Sequence, residues 1–166
     1  MNINFDTLLT EQEMKIIRVY LDTSVIGGCL DEEFKEHSIL LMNEIISGKK
    51  KGVISEITIR ELASAPKEVV DYFEKIFKYL EVLEPNDEIN LLADTYLNEN
   101  IVGEKYYEDL VHIAYATVNE LDVLVSWNFK HIVHYKKIPL YNAVNALKGY
   151  KPIQIYSPRE VINYEE

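Results

Sequence analysis

The chain has 166 residues, 48% of them apolar, and a formal net charge of −11. That is enough chain for one domain with a sizeable core, and no apolar run approaches the roughly 20 residues of a membrane span. The acidic balance argues against a protein that grips nucleic acid through a generally basic surface, and leaves solubilising charge or a site that collects cations.

The first residues lack the basic start and apolar core of a signal peptide. Cys29 is the sole cysteine, so no intrachain disulfide forms, and it reads as a small buried filler. A cytoplasmic location is the resulting expectation. Residues 1–14 read as an N-terminal extension, with Thr10 and Glu13 at capping-box spacing. Residues 15–166 read as a single domain.

Residues 16–21, an apolar and β-branched run, predict a buried strand of a parallel sheet. It ends in Asp22-Thr23-Ser24, and Gly27 and Gly28 are expected to let the backbone turn. Ligands of open α/β sheets bind beyond the carboxyl ends of the strands. Asp22 is therefore either a cap of the following turn or a functional acid.

Residues 33–46 carry helical spacing, and Gly48 closes that helix. Lys49-Lys50-Lys51 form the main basic run, expected as a solvated turn, with phosphate contact as the second possibility. Residues 52–54 predict a second strand. Ser55 or Thr58 caps the next helix; if Thr58 does, Glu61 bonds back to the cap, and if not, its carboxylate is free to join Asp22. Pro66 starts an amphipathic helix with Val69, Val70, Phe73, Ile76, Phe77 and Leu80 inward.

A brief strand is expected at residues 81–83. A helix then runs to Leu97 and another covers residues 105–120, with Asp109 in its first turns and alanines for close packing. Residues 122–125 predict a strand, followed by Ser126-Trp127-Asn128. Residues 130–148 predict a helix interrupted or kinked at Pro139. A last strand is expected at 152–156, then a helix capped by Ser157 with Glu160. The alternation of strands and helices implies a three-layer α/β/α sandwich around a mainly parallel sheet.

Asp22, Glu61 and Asp109 thus share an address near strand ends, with Asn128 beside them. Oxygen ligands without clustered Cys or His suit Mg²⁺ or Mn²⁺, which activate water and stabilise phosphoryl charge. Ser24 and Ser126 either position water or phosphate, or cap their turns. His112, one turn after Asp109, reads as a packing or hydrogen-bonding residue rather than a general base. Trp127 and the tyrosines could stack on bases, though core packing is the commoner role.

Tyr20-Leu21-Asp22-Thr23-Ser24, the spacing Ser55-x-x-Thr58-x-x-Glu61-Leu62, Asp109-Leu110-Val111-His112-Ile113-Ala114 and Leu124-Val125-Ser126-Trp127-Asn128-Phe129 occur in that order. Together they make the chain resemble PIN-domain proteins, similar to VapC-type toxin ribonucleases. The resemblance implies a metal-dependent endoribonuclease fold and commonly a homodimer. Its first three acids map to Asp22, Glu61 and Asp109, with Asp22 and Asp109 as the metal ligands. It implies RNA as substrate and an antitoxin as partner. Asn128 departs from the pattern, which often has Asp there; it offers a carbonyl oxygen but removes one negative charge. The competing expectation is a catalytically weakened binding or regulatory module on the same fold. A haloacid-dehalogenase-type phosphatase is disfavoured, because Ser24 stands where its second acid belongs. A receiver domain would need a lysine after a later strand.

Overall fold

The computed structural model describes residues 15–164; the expected extension over residues 1–14 lies outside them. Five parallel strands form one sheet: β1 (Arg18–Leu21), β2 (Lys51–Ser55), β3 (Leu80–Leu83), β4 (Val123–Val125) and β5 (Ile155–Tyr156), in the order β3-β2-β1-β4-β5. Neighbouring Cα partners include Tyr20 with Val53 and with Leu124. Successive side chains of a strand point to opposite faces. Tyr20, Val53 and Leu124 accordingly join the core on one side, whereas Val19, Leu21, Ile54, Val123 and Val125 join the core on the other. Burial on both faces is why the central strands read as nearly continuous apolar runs.

Among the described residues, eight α-helices surround the sheet: α1 (Thr23–Gly28), α2 (Lys35–Ile46), α3 (Glu56–Leu62), α4 (Lys67–Ile76), α5 (Asp87–Asn98), α6 (Tyr107–Val118), α7 (Ile138–Leu147) and α8 (Pro158–Val161). Side chains of α5, α6 and α7 fill the Tyr20 side, and those of α1, α2 and α4 fill the other. This is the expected three-layer α/β/α architecture. From β1 the chain builds outward to β2 and β3, then returns to the other side of β1 for β4 and β5. The order therefore reverses between β1 and β4, the switch point at which such sheets open a crevice.

Several local expectations are corrected. Gly27 and Gly28 lie within α1 rather than in a free turn, and a Cβ on Gly28 would meet Ser38 Oγ at 2.7 Å and Trp127 Nε1 at 2.9 Å. Close approach, not turning, is what that glycine permits. Helix α4 stops at Ile76; Phe77 belongs to the turn after it and is largely exposed. Pro139 starts α7 instead of breaking it, because the first helical turn has no use for its missing N–H. The residues before it form turns. The last strand keeps only two of its five expected residues, although Ile153 is buried.

The basic run is not a solvated turn throughout. Lys50 is buried and pairs with Glu44 of α2, whose other oxygen accepts the Asn163 N–H at 2.7 Å. Lys51 pairs with Glu81 at 2.8 Å, leaving Lys49 exposed. Lys50 and Lys51 are thus both paired with carboxylates, and Lys50 belongs to the core.

Candidate active site

Asp22 follows β1 at the switch point, and its N–H continues the ladder to Val125 O at 3.0 Å. It occupies the position before α1 but its side chain caps nothing. Instead, Oδ2 accepts the hydroxyl of Ser24 at 2.6 Å and that of Ser126 at 2.7 Å. Those hydroxyl oxygens in turn accept backbone N–H groups, Trp127 on Ser24 and Asn128 on Ser126, both at 2.9 Å. The ends of β1 and β4 are thereby laced together around one carboxylate that is only 5% exposed. Burying a carboxylate is costly unless its lone pairs are satisfied in this way.

Glu61 reaches the same place from α3. The cap of that helix is Ser55, whose N–H faces Thr58 Oγ1 at 3.4 Å. Thr58 is thus the third helical residue, and Glu61 is released from capping. Its Oε2 accepts the Thr23 hydroxyl and faces His112 Nε2 at 3.0 Å. The same Nε2 lies 3.3 Å from Asp22 Oδ1. On the far side of the ring, Nδ1 meets Tyr20 OH at 2.8 Å, and Tyr20 OH meets Ser55 Oγ at 2.7 Å. His112 is the residue that sequence reasoning undervalued. Its hydrogen-bonding role was foreseen, but not its place at the centre of the acids. The available signal was its position three residues after Asp109 on one helix.

Charge explains the arrangement. Burial alone would push the imidazole down, but Asp22, Glu61 and Asp109 outweigh it and hold the His112 pKa above its ordinary value. Whenever the ring is protonated, it donates from Nε2 toward the two carboxylates and from Nδ1 to Tyr20. Glu61 is half-buried, which would raise its pKa, yet the bond and charge of His112 and the Thr23 hydroxyl bring it below the usual range. Asp109 is pushed up to about 6, by burial first and by the nearby charge of Asp22, against the hydrogen bond of Asn128. Three acids around one imidazolium leave negative charge uncompensated.

Asp22, Glu61 and His112 offer one ligand atom each within 4.8 Å of one another. Asp109 lies outside that triplet but is coupled to it electrostatically. Asn128 Oδ1 accepts the His131 N–H at 3.0 Å, which uses one of the two lone pairs of its carbonyl oxygen. The amide nitrogen is the group left for Asp109. The surplus of carboxylate oxygen is of the kind that suits a hard divalent ion, and the ligand atoms that converge are those of Asp22, Glu61 and His112. A groove of about 660 Å³ opens next to Ser24 and Asn128, walled by Phe34, Val69 and Trp127. Trp127 itself is buried, bonded through Nε1 to Ser38 at 2.8 Å and stacked on Phe34 at 4.5 Å, so it is a packing residue.

No protein-family model matches the chain, and no curated protein matches it. Among solved structures it is similar to DNA-bound VapBC from Salmonella typhimurium, with 21% identity and a TM-score of 0.57, covering 86% of this chain and 99% of that one. It is similar to VapBC-1 from nontypeable Haemophilus influenzae, with 20% identity and a TM-score of 0.56, covering 86% and 99%. A third is VapBC2 from Rickettsia felis bound to a DNA fragment from their promoter, with 14% identity and a TM-score of 0.56, covering 85% and 98%. At these identities the likeness shows the fold alone, a PIN-like α/β/α sandwich.

Proposed function

We propose that the chain is a metal-dependent endoribonuclease that cleaves RNA phosphodiester bonds, acting as the toxin of a toxin–antitoxin pair. The observation that carries this is the meeting of Asp22 and Glu61 on buried His112 at the switch point, with Asp109 alongside. The fold shared with the VapBC structures supports a nuclease of this kind and a cognate antitoxin as partner. A second copy of the chain completes the proposed partners. No helix among the described residues is long and apolar enough to cross a membrane.

When bound, Mg²⁺ or Mn²⁺ supplies an activated water and stabilises charge on the phosphoryl group. Asp22 and Asp109 would hold the ion. Ser24 and Ser126 fix Asp22 Oδ2 and leave Oδ1 toward the cluster. Glu61, held by Thr23 and His112, positions water or the ion. Asn128 orients Asp109 through its amide. His112 balances the acids and keeps them together.

A panel of single-stranded RNAs with Mn²⁺ tests this. Cleavage is expected, lost with chelator and in Asp22→Asn. Folded protein that cuts no more than Asp22→Asn overturns the nuclease assignment. That outcome would favour the second assignment, a catalytically weakened binding module, which the neutral side chain of Asn128 supports.

A further inference from the structure

In a chain with 28 acidic residues against 17 lysines and arginines, cations that cluster without acids require a reason. One such cluster adjoins the acidic site. The turn Glu104–Tyr106 before α6 and the loop at 128–137 between β4 and α7 gather Lys105, Lys130 and Lys137 around Tyr106. Lys105 Nζ lies 4.8 Å from the Tyr106 ring centre; Lys130 Nζ lies 5.4 Å from that centre and 3.4 Å from the phenol oxygen. The His131 ring packs against Tyr106 with centroids 3.9 Å apart. Lys137 Nζ is 3.0 Å from His131 Nδ1 and also donates to Lys130 O at 3.0 Å.

Among the described residues, Lys105, Lys130 and Lys137 form no salt bridge; Lys49, Lys75, Lys78, Lys136, Lys148 and Arg159 share that state, and what sets the three apart is their convergence on Tyr106 and His131. The cations act on each other's neighbours: Lys105 and Lys130 draw the Tyr106 phenol below its ordinary pKa. Burial and Lys137 hold His131 below its own, and its buried Nε2 has no partner among the described residues. Like charges packed in this way repel until an anion joins them. The loop that carries them is tied to the site, since Asn128 Oδ1 accepts the His131 N–H.

We propose that Lys105, Tyr106 and Lys130 bind the phosphate backbone of single-stranded RNA and lead the strand to the acid crevice beside Asn128. This rests on the ribonuclease assignment and says where the substrate lies. Two exposed ammonium groups supply charge, and the Tyr106 hydroxyl, which accepts from Lys130, donates its own proton to a phosphate oxygen. A cationic track with an aromatic side chain is the usual makeup of single-strand binding surfaces. The chain's net acidity explains why the track is short: repulsion elsewhere on the surface confines a polyanion to it.

The test is fluorescence anisotropy of a labelled single-stranded RNA with full-length Asp22→Asn protein, without divalent ions. Adding Lys105→Ala and Lys130→Ala is expected to weaken binding about tenfold. It should also lower the slope of log affinity against log salt by about 1.4, two contacts at roughly 0.7 each. Tyr106→Phe is expected to weaken binding about threefold while leaving the melting temperature unchanged. The control pair Lys75→Ala and Lys148→Ala, at exposed lysines elsewhere, should bind like the parent. Unchanged affinity in the first pair, or an equal loss in the control pair, overturns the proposal. So does a polyglutamate peptide that outcompetes RNA in a Lys105- and Lys130-dependent way, since the surface would then serve an acidic protein. Because binding is read without cleavage, native protein that fails to cut RNA sinks the nuclease assignment alone. Unaltered affinity with intact cleavage sinks the track alone.

Discussion

His112 Nε2 lies 3.0 Å from Glu61 Oε2, although 51 residues separate them in the chain. The pair makes the imidazolium part of the fold's electrostatics. Its raised pKa means that its contribution to stability is complete below the unfolded histidine value, near 6.5. That contribution fades as pH rises through the folded value. Without divalent ions, His112→Gln should lower the melting temperature by about 5 °C at pH 6, from loss of a buried charged network. The difference should shrink at alkaline pH. Calorimetry of both proteins across pH checks this; a difference that grows with pH would show that His112 is buried neutral.

Asp109 gives the opposite lesson. Its carboxyl is pushed up to about 6, so the folded protein prefers it protonated. The associated stability is complete below the unfolded carboxylate value, near 3.9, and is lost as pH rises through about 6. At pH 7 the ionised group strains the ion-free protein. Asp109→Asn is therefore expected to melt about 2–4 °C higher than the native chain at pH 7.5, a shift worth about 1 kcal/mol, and no higher near pH 4. The same variant should lose RNA cleavage, because it removes a charge proposed to hold the ion. Thermal melts at the two pH values, with a cleavage assay, separate the two effects. A variant that melts lower at pH 7.5 would contradict the assigned electrostatics.

Much of the fold was legible because burial on both sheet faces writes itself locally. The run that ends at Leu21 is apolar but for Arg18 at the strand's start, and the polar break at Asp22 marks the strand end. What stayed illegible depends on distant partners. Lys50 looks like one lysine of three, and only Glu44, itself fixed by the Asn163 backbone, makes it a core residue. Ser55 and Thr58 were equal as caps on paper; Ser55 prevails at the end of β2, and that choice frees Glu61. The loop before α7 read as helix, but Tyr141 OH to His131 O at 2.7 Å and Lys137 Nζ to Lys130 O hold it as turns. For His112, the neighbours that define it, Tyr20 and Glu61, come from other elements.

A homodimer is expected from the family resemblance, and the turn after α4 offers a surface for it. Phe77 is 42% exposed and Tyr79 41% exposed, while the inner face of α4 is already packed through Val69, Phe73 and Ile76. A twofold interface uses each residue twice. Phe77→Asp should therefore remove about 3 kcal/mol of apolar burial per dimer and weaken association roughly a hundredfold. Sedimentation velocity over a range of concentrations measures it. A native chain that stays monomeric at high concentration would rule the dimer out, and an undisturbed dimer in the variant would move the interface elsewhere.

The neutral side chain of Asn128 is expected to limit how strongly the site holds an ion. Its Oδ1 accepts the His131 N–H, and its amide nitrogen faces Asp109. In Asn128→Asp the first oxygen keeps the backbone bond, and the second replaces the amide with negative charge beside Asp109. Without metal this adds repulsion to three acids already in excess, so the variant should melt a few degrees lower at neutral pH, the scale of about 1 kcal/mol. With metal the sign reverses, since each added anionic ligand tightens a hard cation. We expect Mn²⁺ affinity to rise about tenfold, worth roughly 1.4 kcal/mol. Saturating Mn²⁺ should then lift the variant's melting temperature more than that of the native chain. Calorimetric titration with Mn²⁺, paired with melts in chelator and in excess metal, reads both signs. Equal ion affinity in the two proteins would show that position 128 does not face the ion, and would confine the ligands to the Asp22 side of the crevice.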